Sequence, residues 1–198
     1  MAGKLIIFSA PSGSGKSTII NYLLQQSLRL RFSISATSRA PRGTEKNGVE
    51  YYFLTPEAFK ARIAKGDFLE YEEVYTDKFY GTLKSEVYER MEKGQNVLLD
   101  IDPQGARMVM EQEPECVSVF ILPPSYKALR VRLHTRNTDD PVEIERRLGN
   151  AKGEIDQMQK NQYVVVNDEL ELAYAQLSAI AMAEKQRTNR YFPVIEAE

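Results

Sequence analysis

The chain has 198 residues, enough for one globular domain with an inserted subdomain and a real core. Apolar residues make up 42% and charged residues 27%, the balance of a soluble globular protein rather than of a disordered or membrane-spanning one. A formal net charge of -2 excludes a broadly basic nucleic-acid-binding surface and leaves room only for focal arginine clusters. The single cysteine, Cys116, has neither a disulfide partner nor the paired spacing of a zinc site, so it reads as a small buried apolar residue in a reducing compartment. "LIIF" near the start is too short for a signal sequence or a membrane span. Cytoplasmic residence is therefore expected, with neither nucleic acid nor membrane as partner and homo-oligomerisation left open.

In chain order, short apolar runs alternate with longer amphipathic segments, the pattern of an α/β protein around a mostly parallel sheet. "KLIIF" (4–8), "NVLLDI" (96–101), "VSVFIL" (117–122) and "YVVV" (163–166) read as buried strands, each expected to be covered by helices on both faces. Helices are expected near 16–27, 56–65, 83–93, 103–111, 125–135, 141–160 and 168–187. Thr55 before Pro56 and Asp140 before Pro141 carry the signature of an N-cap followed by proline at the first helical position. Between "FSIS" (32–35) and about residue 82, short polar-flanked strands such as "EYYFL" and "DFLEYEEVY" mark a β-rich insertion.

The first strand runs into Ala10-Pro11-Ser12-Gly13-Ser14-Gly15-Lys16-Ser17 and on into the helix "TIINYLLQQ", which is the strand-loop-helix setting of a Walker A phosphate loop. Ala10 stands where the motif's first glycine is usual, and its small side chain still allows the turn. Glycines let successive backbone N–H groups point at phosphate oxygens, and the helix N-terminus adds partial positive charge. In this setting Ser12, Gly13, Ser14 and Gly15 cradle phosphates, Lys16 reaches the β- and γ-phosphates, Ser17 ligates Mg²⁺ and Thr18 donates to the α-phosphate. In "VLLDID", Asp100 and Asp102 fall at the carboxyl end of a buried strand, where ligands meet parallel sheets. One of them can hold Mg²⁺ through water while the other faces an acceptor; Asp100 is taken as the metal carboxylate. The competing reading is a helix cap before Pro103, which suits Asp102 better than Asp100.

"TSRAPRG" fixes Arg39 and Arg42 around Pro41 in a turn, where two guanidinium forks can grip a terminal phosphate. Tyr51 and Tyr80 can add phenolic hydroxyls, or simply pack. Arg132 and Arg136 lie four apart on one helical face, and Arg146 and Arg147 follow on the next helix. Such a helical hairpin can close over a transferring phosphoryl group, neutralise its charge and expel water. His134, the only histidine, is read as a surface or structural residue, because a phosphate acceptor is already ionised and needs no general base.

Taken together, "SAPSGSGKST", "FSISATSRAPRGTEKNGVEYYFL", "FLEYEEV", "YGT", "LLDIDPQGA", "FILPPS" and "VVVND" resemble the guanylate kinase family over nearly the whole chain. The resemblance implies transfer of the ATP γ-phosphoryl group to GMP, and by extension dGMP, in purine nucleotide metabolism. It implies a P-loop NTPase-type α/β core with a parallel sheet flanked by helices, a β-rich nucleoside-monophosphate-binding insertion and a helical lid. Within one domain over 1–198, the core would be 1–33, 83–125 and 157–198, the GMP-binding insertion 34–82 and the lid 126–156. Arg39, Arg42, Tyr51 and Tyr80 would hold the GMP phosphate. Ser35, Glu70 and Thr82 would read guanine with Asp100 and Asp102 nearby, and Glu45 would support them. Arg132, Arg136 and Arg147 would engage ATP phosphates, with Asn167 near adenine and Arg146 beside Arg147. The chemistry agrees, because Glu70 can accept from guanine N1–H and its 2-amino group while Ser35 and Thr82 donate to O6. The segment "EVYTDKFYG" is one residue longer than the family's usual spacing. A catalytically silent, peptide-holding relative is the alternative; it predicts a damaged phosphate loop or missing lid arginines, whereas Lys16, Ser17, Arg132, Arg136 and Arg147 are all present.

Overall fold

The computed structural model of the chain describes residues 3–25, 30–135, 140–191 and 193. The strand β1 (Leu5–Ser9) leads into α1 (Lys16–Gln25), followed by β2 (Leu30–Phe32), β3 (Ala36–Thr37), β4 (Tyr52–Phe53), α2 (Pro56–Ala64), β5 (Phe68–Tyr75) and β6 (Lys78–Leu83). The chain continues through α3 (Lys84–Glu92), β7 (Asn96–Asp100), α4 (Pro103–Gln112), β8 (Val117–Leu122) and α5 (Tyr126–Thr135). It then runs through α6 (Pro141–Asp156), a 3₁₀ turn over Gln157–Lys160, β9 (Tyr163–Val166) and α7 (Leu170–Lys185). The expected helices are present, although the part of the first beyond Gln25 that falls on 26–29 lies outside the described residues.

Helix starts follow local chemistry. The Thr55 hydroxyl accepts the Ala58 N–H at 3.2 Å and the Asp140 carboxylate accepts that of Glu143 at 2.8 Å, each with proline next in sequence to fix φ for the first turn. Asp102 caps α4 in the same way, accepting the Gly105 N–H at 2.6 Å.

Five strands pair in parallel in the order β2-β7-β1-β8-β9. The strand period of two divides the core. Leu5 and Ile7 pack with Val87, Leu99, Ala106 and Val109 on the α3–α4 side, whereas Phe8 joins Ile19, Ile20, Leu23 and Leu177 on the α1–α7 side. Cys116 is buried in the first of these clusters, and burial pushes its thiol up to about 11, well away from reactivity. Coverage on both faces does not hold for β9. Val165 is 1% exposed beneath α7, but Val164 and Val166 are each 42% exposed, because an outermost strand here has a helix on one face only.

A second sheet has the order β4-β3-β6-β5, antiparallel except for the β3–β4 pair, and matches the β-rich insertion expected from sequence. Phe59 of α2 is fully buried and stacks on Phe68 and Phe79 with ring centroids 4.4 and 5.3 Å apart. Truncating such a ring to alanine costs about 3–5 kcal/mol. Leu69 turns the other way into the core beneath the parallel sheet, and the Gln112 side chain of α4 donates to its carbonyl at 2.6 Å. The second sheet is thereby tied to α4, and Glu70, next in sequence, faces away from that core. Helices α5 and α6 form a hairpin around Leu129, Leu133, Ile144 and Ala151. Among the described residues no helix is long and apolar enough to cross a membrane.

Candidate active site

The loop between β1 and α1 bends at Gly13 and Gly15, both at φ 88°. Space as well as conformation requires glycine there. A Cβ on Gly13 would lie 2.8 Å from the Leu133 side chain, and one on Gly15 would lie 2.4 Å from Asn167 Nδ2. The loop is clamped from outside through the Ser14 carbonyl, which accepts from Asn167 Nδ2 at 2.9 Å and from Arg132 Nη1 at 2.9 Å. Arg132 Nη2 also donates to the Asn167 carbonyl at 2.8 Å. Arg132 thus reaches the loop backbone. Asn167, expected beside adenine, is buried and directs its side-chain donor at the loop backbone.

Lys16 turns back over the sheet edge, donating to the Ile101 carbonyl at 2.6 Å and pairing with the Asp100 carboxylate at 2.5 Å. Ser17 and Thr18 are exposed on the first turn of α1. A cleft of about 710 Å³ is lined by residues 10–18 together with Asp100, Asp102, Arg132, Glu154 and Asn167.

From α6, Arg147 donates to the Ser12 hydroxyl at 2.6 Å and to Glu143 at 2.9 Å, whereas Arg146 is exposed and held bidentately by Glu143 at 2.7 Å. The adjacent arginines therefore point differently, and Arg147 is the one aimed at the loop. Arg136 lies outside the described residues. His134 is exposed on α5, as a surface residue would be. Glu154, seven residues beyond Arg147 and so on the same helical face, accepts the Ser12 N–H at 3.4 Å, and burial holds its carboxyl above the usual carboxylate range.

The second sheet carries the other half. Arg39 makes a bidentate pair with Glu45 at 2.6 and 2.8 Å and lies 4.9 Å from the Tyr51 ring centroid, and Glu45 first, then Tyr80, favour its charged form. Its hydrogen bond to Arg39 pulls the Glu45 carboxyl down to about 2. Arg42 is exposed on the same turn, its backbone N–H donating to Glu45 at 2.7 Å. Glu45 is thus the carboxylate that aims Arg39, the supporting place expected of it. Ser35 is half-buried just before β3, where its carbonyl accepts from Tyr52 at 2.9 Å.

Glu70 is 8% exposed, and burial raises its carboxyl to about 7. Thr82, paired opposite it in the β5–β6 ladder, donates its hydroxyl to Glu70 Oε1 at 2.6 Å. That single donor is engaged, so the expectation that Thr82 donates to guanine O6 is not met in this arrangement; the hydroxyl orients Glu70 instead. The pairing shifts between Glu73 and Tyr75 ahead of a turn with Asp77 at φ 60°, and this irregularity absorbs the length of "EVYTDKFYG" without moving Glu70 off Thr82.

Three residues of the site went unassigned in the sequence. A Cβ at Gly105 would stand 3.2 Å from Glu70 Oε2 and 3.3 Å from Asp102 Oδ1, so a side chain there would press on both carboxylates. Glu154 was signalled only by its spacing from Arg147. Glu72 shares the strand face of Glu70, and the nearby Asp102 carboxylate, after burial, helps raise its carboxyl above the usual range.

The family model for guanylate kinase matches residues 2–184. The chain belongs to the guanylate kinase family. A guanylate kinase of Bacteroides thetaiotaomicron is 58% identical over 177 residues, spanning 89% of this chain and 87% of that protein. One from Symbiobacterium thermophilum is 50% identical over 95% of this chain and 89% of its own length. The crystal structure of guanylate kinase from Anaplasma phagocytophilum superposes with a TM-score of 0.74 at 35% identity, covering 96% of this chain and 89% of that one. This guanylate kinase family member therefore carries a P-loop NTPase fold, with the parallel sheet and flanking helices that the sequence pattern implied.

Proposed function

We infer that the chain is an ATP:GMP phosphotransferase, moving the γ-phosphoryl group of ATP to GMP and giving ADP and GDP. The observation that carries this reading is the shared position of Asp102. It lines the cleft that holds Lys16, and it also lies with Glu70 against Gly105, so a phosphate cradle and a guanine-compatible carboxylate meet at one sheet edge.

In this reading residues 126–156 act as the lid, 34–82 as the acceptor-binding insertion and the remainder as the core. The loop from Ser12 to Thr18 holds the ATP phosphates. Lys16 leaves Asp100 and the Ile101 carbonyl for the phosphates when the nucleotide enters, and Asp100 is released toward the metal side. Arg132, Arg136 and Arg147 supply positive charge around the γ-phosphoryl group, and Asn167 acts by holding the loop. Arg39, Arg42, Tyr51 and Tyr80 hold the GMP phosphate. Ser35, Glu70, Asp100 and Asp102 surround guanine, with Thr82 orienting Glu70. An oxygen of the GMP phosphate attacks the γ-phosphorus as the bond to the ADP oxygen breaks, and no general base is needed because that oxygen is already ionised. Adenine presents neither N1–H nor a 2-amino group, so AMP would leave the buried Glu70 carboxylate without the base donors that guanine adds to the Thr82 hydroxyl.

Among the described residues no group of three or more His, Cys, Asp or Glu side chains is placed to hold a metal ion. The exposed Ser17 hydroxyl and the Asp100 carboxylate in the same cleft fit an ion held chiefly by nucleotide phosphates and water, as Mg²⁺ is. Mg²⁺ supplies charge neutralisation on the β- and γ-phosphates when bound.

A coupled ADP-release assay with ATP and Mg²⁺ against GMP, AMP and UMP tests the reading. GMP should be strongly preferred, and Lys16→Ala should abolish transfer while circular dichroism stays native. Equal use of AMP, or normal turnover by the Lys16 variant, would reject it.

A further inference from the structure

Glu72 has no place in the reading above, yet the strand ladder puts it among the residues that do. Strands β5 and β6 are antiparallel, with Glu70 opposite Thr82 and Glu72 opposite Tyr80. Residues two apart on a strand share a face and lie about 7 Å from each other. These four side chains therefore form two rows on one face. The first row, Glu70 with Thr82, is the base-facing end. The second row leads through Tyr80 to Arg39 and the Tyr51 ring, 6.0 Å from that of Tyr80, which is the phosphate-facing end.

A nucleoside monophosphate laid along this face with its base on the first row and its phosphate on Arg39 carries its sugar across the second row. Glu72 stands there on the side of α4. Helix α4 packs on β5, and its capping residue Asp102, which uses Oδ1 to accept the Gly105 N–H, lies near enough for its carboxylate to act on that of Glu72. Two carboxylates, one on β5 and one at the cap of α4, thus lie near each other beside the expected position of the sugar. Burial and the Asp102 carboxylate both raise the Glu72 carboxyl above its ordinary range, the response of a group that lacks a donor. A vicinal diol supplies the missing donors, and a carboxylate accepting from ribose hydroxyls is a recurring mode of nucleotide recognition.

We propose that Glu72, together with Asp102, reads the sugar of the acceptor by accepting hydrogen bonds from the ribose 2′,3′-diol, so that guanine ribonucleotide is favoured over its deoxy forms. This rests on the acceptor assignment made above. It makes Glu72 a specificity residue that touches substrate and takes no part in phosphoryl transfer itself.

The test is kcat/KM for GMP, 2′-dGMP and 3′-dGMP with the full-length protein and with Glu72→Ala and Glu72→Gln. In the wild type at least one deoxy acceptor should be poorer than GMP by about tenfold, the loss of one charge-assisted hydrogen bond. In Glu72→Ala the gap should close to within about twofold through a loss on GMP alone, with KM for ATP unchanged. Glu72→Gln keeps the strand's side-chain size and one acceptor, and should fall between the two. Equal use of all three acceptors by the wild type, or a gap that persists in both variants, would overturn the proposal while leaving guanylate kinase activity intact. Absence of any GMP-dependent ADP release by the wild type would overturn the underlying reading and this one with it.

Discussion

Replacing Glu70 with glutamine separates what this residue does for binding from what it costs the fold. The Glu70 carboxyl ordinarily titrates near 4.5, and burial raises it to about 7 in the folded protein. Below about pH 4.5 both folded and unfolded chains hold the proton. As pH rises from there to about 7, the unfolded chain releases it first, so the folded state loses stability across that window and recovers none above it. A displacement from 4.5 to about 7 corresponds to roughly 3 kcal/mol at about 1.36 kcal/mol per pH decade. Glutamine is neutral throughout and can still accept from Thr82. Urea denaturation should therefore show Glu70→Gln gaining on the wild type by up to roughly 3 kcal/mol between pH 5 and pH 8. The same variant should lose about ten- to a hundredfold of its GMP-over-AMP preference, because one guanine donor is left without a charged acceptor. Guanine stabilises the ionised carboxylate, so GMP binding near pH 7 should release about half a proton, readable by calorimetry in buffers of different ionisation enthalpy. A stability difference between variant and wild type that does not change with pH would refute the reasoning.

Gly105→Ala should raise KM for GMP about tenfold and leave KM for ATP near its wild-type value, since the new Cβ would crowd Glu70 Oε2 at 3.2 Å and Asp102 Oδ1 at 3.3 Å. Steady-state kinetics with each substrate varied in turn would check this. Arg147→Ala should lower kcat about a hundredfold and Arg146→Ala less than threefold, because only Arg147 reaches the phosphate loop. Glu45→Gln should weaken GMP binding without affecting ATP, by releasing Arg39 from its bidentate partner. As pH falls from 4.5 toward about 2 the unfolded chain takes up the Glu45 proton before the folded one, so the wild type should lose the stability the pairing gives across that window while Glu45→Gln does not, and acid denaturation followed by circular dichroism would show the difference.

Some of the site was legible because its signals are local. The phosphate loop is one continuous stretch whose glycines, lysine and serine have fixed spacing, and the caps at Thr55 and Asp140 concern residues three apart. Glu70 and the Arg39 turn were legible through resemblance, and the structure brings Arg39 together with Tyr51, Tyr80 and Glu45 as a unit. Other roles depend on partners distant in the chain. Thr82 was expected to face guanine, but its hydroxyl is engaged by a carboxylate twelve residues away across a ladder. Asp102 looked like either a helix cap or a site carboxylate, and one oxygen caps α4 while the residue also lines the cleft.

The amino-acid sequence alone determined the alternation of strands and helices, the phosphate loop and the helix starts, because periodicity, turn chemistry and capping act between near neighbours. Only tertiary structure decided which of Arg146 and Arg147 aims at the loop, which face of β9 stays uncovered, that Glu154 lines the cleft, and that Gly105 and Glu72 lie beside Asp102. Those outcomes depend on burial and on charges meeting across long stretches of chain, and such energies exist only once the sheets, α4 and α6 have packed together.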